Sequence, residues 1–294
     1  MEQGWRDRLV VVLVRARNPS NIGAVARAMH DFGFSRMRVV NEFRPPLEAA
    51  KSAVDAGEVM AQAQSCASVA EAVGDCTLVV GTTAVGERRL ELELLTLKQA
   101  APRIRTELGR QQGTERAPAG DVEAAIDRAS DRSETAEAGR GRVAVLFGSE
   151  KTGLSNEELS HCNWLLTVPM HRREAGRHAS MNLGQAAAVC LYELVREDPA
   201  QGDVAAAQVS PQPARSAAAP VVEAPARAAQ MERITHLLGE VMERTGYARR
   251  YAHNAGPSQV RRLVRRIGMD ELDAPVWTGI LKQVLWKLEG GDDG

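Results

Sequence analysis

Four short, mostly aliphatic runs constrain this chain more than any other feature: residues 9–14, 77–80, 143–147 and 165–168. None approaches the ~18 apolar residues of a membrane-spanning helix. None alternates apolar with polar residues, so each has to be buried on both faces, like the strands of a parallel sheet. A fifth short strand is expected over 36–40, after a stop at Gly33. The segments between have helical period. Residues 21–33 place Ile22, Val25, Ala26 and Met29 on one face, 68–73 and 183–196 read as helices, and 49–64 is mixed with helical character. Residues 155–162 open on Ser155 as N-cap and put Glu157 and Glu158 in the first turn, where the helix dipole favours carboxylates. Strands alternating with helices predict an α/β fold: a mostly parallel sheet with helices on both faces.

Composition narrows the partners and the compartment. Aromatic residues make up 4% of the chain and hydrophobic residues 44%, so the core has to be built from Ala, Val and Leu. A net charge of −1 argues against a uniformly basic coat, and any electrostatic footprint for nucleic acid has to be local. Cys66, Cys76, Cys162 and Cys190 show no CxxC spacing and read as small buried hydrophobes in a reducing compartment. The six histidines lack ligand spacing, so no metal is implied. The first residues, with Glu2, Arg6, Asp7 and Arg8, lack the apolar core of a secretory signal. A soluble, cytoplasmic protein is expected.

Two segments interrupt the alternation. Residues 109–141 are rich in Gly, Ala, Arg and acids without a sustained apolar period, and read as an exposed, mobile insertion. Residues 199–229 hold five prolines and many alanines, the composition of a semi-extended linker. The linker separates a domain over 1–198 from a helical unit over 230–290. In that tail Met231, Ile234, Leu238 and Val241 form one stripe. A second helix opens at Pro257-Ser258, with Val260, Leu263, Val264 and Ile267 inward and Arg261, Arg262, Arg265 and Arg266 on its other side. Val276, Ile280, Leu281, Val284 and Leu288 belong to a third. Residues 230–290 carry ten Arg and Lys against seven Asp and Glu, a net of +3. The four arginines are concentrated enough to contact an RNA backbone, and equally suit helix-surface salt bridges. With so few aromatics, stacking on single-stranded bases is expected to be limited.

The chemistry-bearing blocks lie at the ends of the apolar runs. Asn18-Pro-Ser-Asn-Ile-Gly-Ala-Val-Ala-Arg27 follows the first run and places two amides, a glycine and an arginine at the carboxyl end of a strand, where open α/β sheets bind ligands. The plainer reading is a helix entry, with Asn or Ser as cap and Gly23 for close packing. Phe147-Gly148-Ser149-Glu150, with Gly153-Leu154, follows another run. A glycine directly after a buried strand lets a ligand approach the main chain. Glu150 suits either the ordering of a site or a local ion pair. Val80-Gly-Thr-Thr-Ala84 is a turn after a strand, and Ser180-Met181-Asn182 leads into the 183–196 helix with Ser180 as its expected cap.

Together these blocks resemble the signature of the SpoU/TrmH-type RNA ribose methyltransferases of the SPOUT superfamily. The likeness covers about residues 8–198, with 109–141 outside it. It is closest to the TrmJ-type tRNA (cytidine/uridine-2′-O)-methyltransferases, through the string Asn-Pro-x-Asn-x-Gly-x-Val-Ala-Arg-Ala-Met and the helical C-terminal extension. The resemblance implies a deep trefoil knot and a homodimer with RNA spanning both subunits. It implies S-adenosyl-L-methionine as methyl donor, held by Thr82, Thr83, Ala84, Gly148, Val168, Ala179, Ser180 and Met181. It also implies a catalytic group of Arg27, Asn21, Ser180, Asn182 and Glu150, with Asn18 on the RNA side.

A ribose 2′-hydroxyl is a weak nucleophile that has to be oriented and deprotonated. An ordinary guanidinium, with a pKa of roughly 12.5–13.8, has a minute neutral fraction at pH 7, and using it costs about 8 kcal/mol. Two roles for Arg27 therefore stay open: general base, or a charged group that binds phosphate and stabilises the developing alkoxide. One segment departs from the TrmJ-like pattern. Where such sequences carry Asn-Pro-x-Tyr, this chain has Met170-His-Arg-Arg-Glu-Ala-Gly-Arg-His178, longer, basic and without tyrosine. Arg172, Arg173 and Arg177, with His171 and His178, could hold RNA phosphates or form a solvated loop. The expected activity is methyl transfer to an RNA 2′-hydroxyl, in the tRNA anticodon loop. Its rivals are an rRNA 2′-O-methyltransferase and a non-catalytic RNA-binding protein of the same fold.

Overall fold

The structure is a computed structural model that describes residues 3–41, 56–84, 92–109, 141–171, 181–196 and 224–290. Seven strands form one sheet: β1 (Leu9–Val14), β2 (Arg36–Val40), β3 (Gln64–Cys66), β4 (Cys76–Thr82), β5 (Leu94–Thr96), β6 (Arg142–Phe147) and β7 (Trp164–Thr167). Their order is β3-β2-β1-β6-β4-β7-β5, and every pairing is parallel. The chain first winds outward from β1 through β2 to β3, then returns to build the other half beyond β1. Open α/β sheets bind ligands at the carboxyl ends of the strands where the order reverses in this way.

Strand period divides the core into two layers. Leu9, Val11 and Leu13 face one layer, shared with the helices Pro19–Asp31, Leu97–Gly109 and Leu183–Val195. Val10, Val12 and Val14 face the other, shared with Val69, Val73, Leu159 and Ala228. Phe34 and Phe147 are the only aromatics among the largest fully buried side chains, and the rest is aliphatic or Met. Small residues let elements close up. A Cβ on Gly184 would lie 2.6 Å from Cβ of Ala24, so the 183–195 helix rests directly on the 19–31 helix. All four cysteines are free and buried. Burial pushes the Cys162 and Cys190 thiols up to about 12, which makes them inert hydrophobes.

Several expectations need correcting. β3, β5 and the 97–109 helix lie in stretches where no such element was expected. The chain already enters a helix at Ala228, which is buried, rather than continuing as linker to 229. Most of 109–141 and of 199–229 lies outside the described residues.

The tail is docked rather than separate. Helix Ala228–Arg244 packs on the Val69–Val73 helix and on β4, and Ala229 N donates to Gly74 O at 3.0 Å. Helix Pro257–Ile267 packs on Asn156–Ser160, and Asp273–Leu288 packs on 228–244. Within these helices the inward stripes are narrower than expected. Val260 and Val264 are buried, but Leu263 and Ile267 point outward. Ala274, Leu281 and Leu285 hold the last helix, while Val276, Ile280, Val284 and Leu288 are exposed.

Candidate active site

The carboxyl edge of the sheet brings the sequence blocks together. β1, β6, β4 and β7 are neighbours, so the segments that leave them emerge side by side. Two residues beyond the pairs Gly81↔Leu146 and Thr82↔Leu166, the registers set Thr83 beside Gly148 and Ala84 beside Val168. Thr82 Oγ1 donates to Leu146 O at 2.8 Å and Thr83 N to Leu166 O at 3.0 Å, so these groups serve the sheet first. Ala84 is exposed, and Val168 and Met181 are half-buried.

Asn18 fixes where the first helix starts. Its Oδ1 accepts from Ser20 N at 3.0 Å, and Pro19 occupies the first helical position, where a missing N–H costs nothing. Asn21 follows one turn in and joins a directed chain of amides. Gly184 N donates to Asn182 Oδ1 at 2.9 Å, Asn182 Nδ2 donates to Asn21 Oδ1 at 3.1 Å, and Asn21 Nδ2 donates to Glu150 Oε1 at 2.9 Å. A backbone N–H can only donate. It therefore fixes which way round Asn182 sits, Asn182 fixes Asn21, and the chain has to end on an acceptor, which Glu150 supplies. Residues from all three blocks, Asn21 and Asn182 being 161 positions apart, become one hydrogen-bonded unit.

Other expected site residues are placed differently. Asn182, not Ser180, caps the 183–195 helix. Ser180, Ala179, Arg172, Arg173 and Arg177 lie outside the described residues. At Gly148 the side-chain space is filled by protein, not left for a ligand: a Cβ would come within 2.2 Å of Gly153 C and 2.3 Å of Leu154 N. Glycine is required there because the loop from Ser149 to Leu154 closes on itself. Gly153 N donates back to Ser149 O at 2.8 Å. Arg27 is exposed on the 19–31 helix and has no hydrogen-bond or ion-pair partner among the described residues. It sits six residues from Asn21, about 9 Å along the helix axis, and the described contacts do not join it to the amide chain.

Arg15 is a site residue that the sequence did not reveal. It is the one non-glycine residue with positive φ among the described residues, at 56°. That conformation turns the chain out of β1 and aims the guanidinium across the sheet edge. Arg15 Nε and Nη2 donate to the two carboxylate oxygens of Glu158 at 2.6 and 2.9 Å, and Nη2 also donates to Gly153 O at 3.0 Å. Glu158 completes the capping box with Ser155, accepting Ser155 N at 2.6 Å. Burial alone would raise the Glu158 carboxyl; the hydrogen bonds from Arg15 and Ser155 outweigh it and hold it below the usual carboxylate range. The loop that carries Glu150 is thus tied to the β1 exit by Arg15 and to the first helix by Asn21. An arginine after a strand reads as surface charge, so no sequence signal marked it.

The basic face of the tail splits in two. Arg261 is 8% exposed. It makes a bidentate pair with Glu232, both bonds at 2.8 Å, and Nη1 donates to Ser160 Oγ at 2.8 Å. Arg265 Nη1 reaches Asn163 Oδ1 at 3.5 Å, while its Nε is buried without a partner, and burial lowers its pKa. Of these two residues, Arg261 ties the tail to the 156–160 helix and Arg265 reaches the residue just before β7. Arg262 is half-buried and Arg266 exposed. Among the described residues, no group of three or more His, Cys, Asp or Glu could hold a metal ion, and no helix is long and apolar enough to cross a membrane.

The fold and site define an α/β protein with an all-parallel sheet and an amide–carboxylate chain at the carboxyl edge of its central strands. Residues 8–192 match the SpoU rRNA Methylase family, and the chain belongs to that family. The tRNA (cytidine/uridine-2′-O-)-methyltransferase TrmJ of Pectobacterium atrosepticum is 27% identical over 281 residues, covering 95% of this chain and 97% of the relative. The tRNA (cytidine-2′-O-)-methyltransferase TrmJ of Methanocaldococcus jannaschii is 29% identical over 187 residues, 63% of this chain and 66% of the relative. The crystal structure of TrmJ from Z. mobilis ZM4 shares the fold, with a TM-score of 0.67 at 24% identity, covering 94% of this chain and 98% of that one.

Proposed function

We propose that this protein is a cytoplasmic, homodimeric S-adenosyl-L-methionine-dependent methyltransferase that modifies the ribose 2′-hydroxyl of a cytidine or uridine in the tRNA anticodon loop. The observation that carries the reading is the Glu150–Asn21–Asn182 chain, which makes one polar centre from the three blocks at the carboxyl edge. The near full-length TrmJ relatives, whose names specify tRNA and cytidine or uridine, favour tRNA over rRNA. The family also implies a trefoil knot, threaded by the Ser180-Met181-Asn182 segment.

The residues present suit the methyl donor. Ala84, Val168 and Met181, exposed or half-buried at the carboxyl edge near Thr82, Thr83 and Gly148, suit its adenosyl part, and Ala179 and Ser180 are assigned to it by the family resemblance. When bound, the donor supplies an electrophilic methyl group. The protein's own work is orientation. The amide chain fixes the polar floor, and Arg27, not committed to any carboxylate, offers a charged fork to a phosphate or to the developing alkoxide. Arg27 is assigned the essential contact, with Asn18 and the basic 170–178 segment on the RNA side.

Methyl-labelled donor incubated with purified protein and separate tRNA and rRNA pools tests the assignment, followed by mass-spectrometric mapping of 2′-O-methyl nucleotides. Label in a tRNA pyrimidine is the expected result. Label in rRNA alone would favour the rRNA enzyme, and RNA binding without label over many donor equivalents would favour a binding protein. Arg27→Ala is expected to abolish transfer while donor affinity by calorimetry is kept; lost donor affinity contradicts the role given to Arg27.

A further inference from the structure

The sequence Arg261-Arg262-Leu-Val-Arg265-Arg266 contains two i,i+4 arginine pairs a residue apart, which on a helix point about 100° apart. The first pair is spent on anchoring. The second, Arg262 and Arg266, lines a cavity of about 510 Å3 between the tail helices and the segment before β5. Pockets of roughly 300–1,000 Å3 accept small ligands. We propose that this cavity is a nucleotide-binding site that takes an unstacked base of the RNA, with its phosphate on Arg262 and Arg266. The inference rests on the proposed RNA substrate and gives the tail a part in holding it, at a nucleotide other than the methylated one.

Four observations point to this ligand. Among the described residues the lining holds two arginines and no carboxylate, so it favours an anion. Arg266, and Arg249 and Arg250 on the neighbouring turn, have no ion-pair partner among the described residues. The floor is apolar, through Leu238 and Met242, while the amides of Asn254 and Gln259 offer donors and acceptors of the kind a base edge presents. Finally, aromatics are scarce in this chain, yet two of its three tyrosines gather here. Tyr247 lines the cavity, its ring lies 4.8 Å from that of Tyr251, and the two are 39% and 41% exposed. Exposed aromatics beside Arg249, Arg250 and Arg266 make the composition of a single-strand platform. The anchored pair holds this platform rigidly on the catalytic domain.

The test measures binding of an unmodified tRNA transcript across a salt series, with photo-cross-linking to locate the contact. Replacing Arg262 and Arg266 together by Gln is expected to weaken binding roughly tenfold and to flatten the slope of log affinity against log salt by about 2. Tyr247→Ala is expected to lose roughly tenfold, while Tyr247→Phe, which keeps the ring, stays near wild type. In turnover the loss is expected in KM rather than kcat, and a cross-link at Tyr247 or Tyr251 supports the site. Unchanged affinity and slope in the arginine and Tyr247→Ala variants overturn the proposal and assign the cavity to another ligand. A wild-type protein that binds tRNA but transfers no methyl sinks the catalytic reading alone, since the affinity data still judge the cavity; one that binds no RNA sinks both.

Discussion

At Arg15 a costly backbone conformation and a buried ion pair support each other. A non-glycine residue at φ 56° carries strain of about 1–3 kcal/mol. It persists because only from that conformation do two guanidinium nitrogens meet Glu158 while one also meets Gly153 O. Arg15→Gly removes both at once. Glycine adopts the same φ without strain, so the net change is the lost guanidinium bonds less the relieved strain. The side chain is one-third exposed, which moderates the effect, and the charge-assisted bonds are worth roughly 1–3 kcal/mol. Arg15→Gly is therefore expected to change the unfolding free energy little and yet to slow methyl transfer, because the loop that carries Glu150 loses one of its two ties. Arg15→Lys keeps charge but not the fork and should recover little. Denaturant melts and single-turnover rates measure both. Full activity in Arg15→Gly would make the tie irrelevant to the site.

Between elements, the critical contact is the seam where the tail meets the 156–160 helix. Arg261, Glu232, Glu157 and His161 meet there, with Ser160 Oγ as a further acceptor. Removing Arg261 would leave Glu232 half-buried without its cation, so Arg261→Met is expected to cost about 3 kcal/mol and to open the tail first. Hydrogen exchange should show helix 228–244 losing protection before the sheet does. The seam also predicts a pH response. Burial, then the Arg261 charge, lowers the His161 pKa below its ordinary value, so the folded seam holds a neutral imidazole. The unfolded chain takes up that proton first, near pH ~6.5. Stability from His161 is thus full above that pH and is lost as pH falls towards the folded value. Glu232 acts lower. Burial alone would raise its carboxyl, but Arg261 outweighs this and depresses it, so its contribution is present above pH ~4.3 and lost below. The tail should loosen in mild acid and the remainder later, and His161→Gln should remove the first step. What the sequence made legible follows the same physics. The strands buried on both faces, β1, β4, β6 and β7, announce themselves as aliphatic runs. The edge strands Gln64–Cys66 and Leu94–Thr96 are three residues long with one neighbour each, and carry no such pattern. The 97–109 helix hides behind Pro102, a residue that ordinarily ends a helix. Of the site, Asn21, Glu150 and Asn182 were readable because a block of polar and small residues after a strand is unusual. Arg15 and the division of the four tail arginines depend on partners more than 100 positions away, which no local pattern encodes.

For the whole molecule, the proposed homodimer needs a surface that meets a second copy. The outer side of the paired helices 19–31 and 183–195 is a strong candidate. Val189 is 37% and Tyr192 51% exposed there, and Phe32 lies 6.1 Å from the Tyr192 ring. A chain with few aromatics gains little from placing a tyrosine and a valine in water, one turn apart on a helix that Asn182 of the candidate site caps. Exposed apolar surface of this kind marks a contact. Tyr192→Asp introduces a charge whose burial would be unpaired, costing several kcal/mol across the interface. It leaves the amide chain untouched, since Asn182 and Gly184 lie at the other end of the helix. The expected result is a halved mass by light scattering with the fold intact by circular dichroism. A Tyr192→Asp protein that stays dimeric would move the interface to the exposed row of Val276, Ile280 and Val284 on the last helix, where Ile280→Asp is the corresponding test.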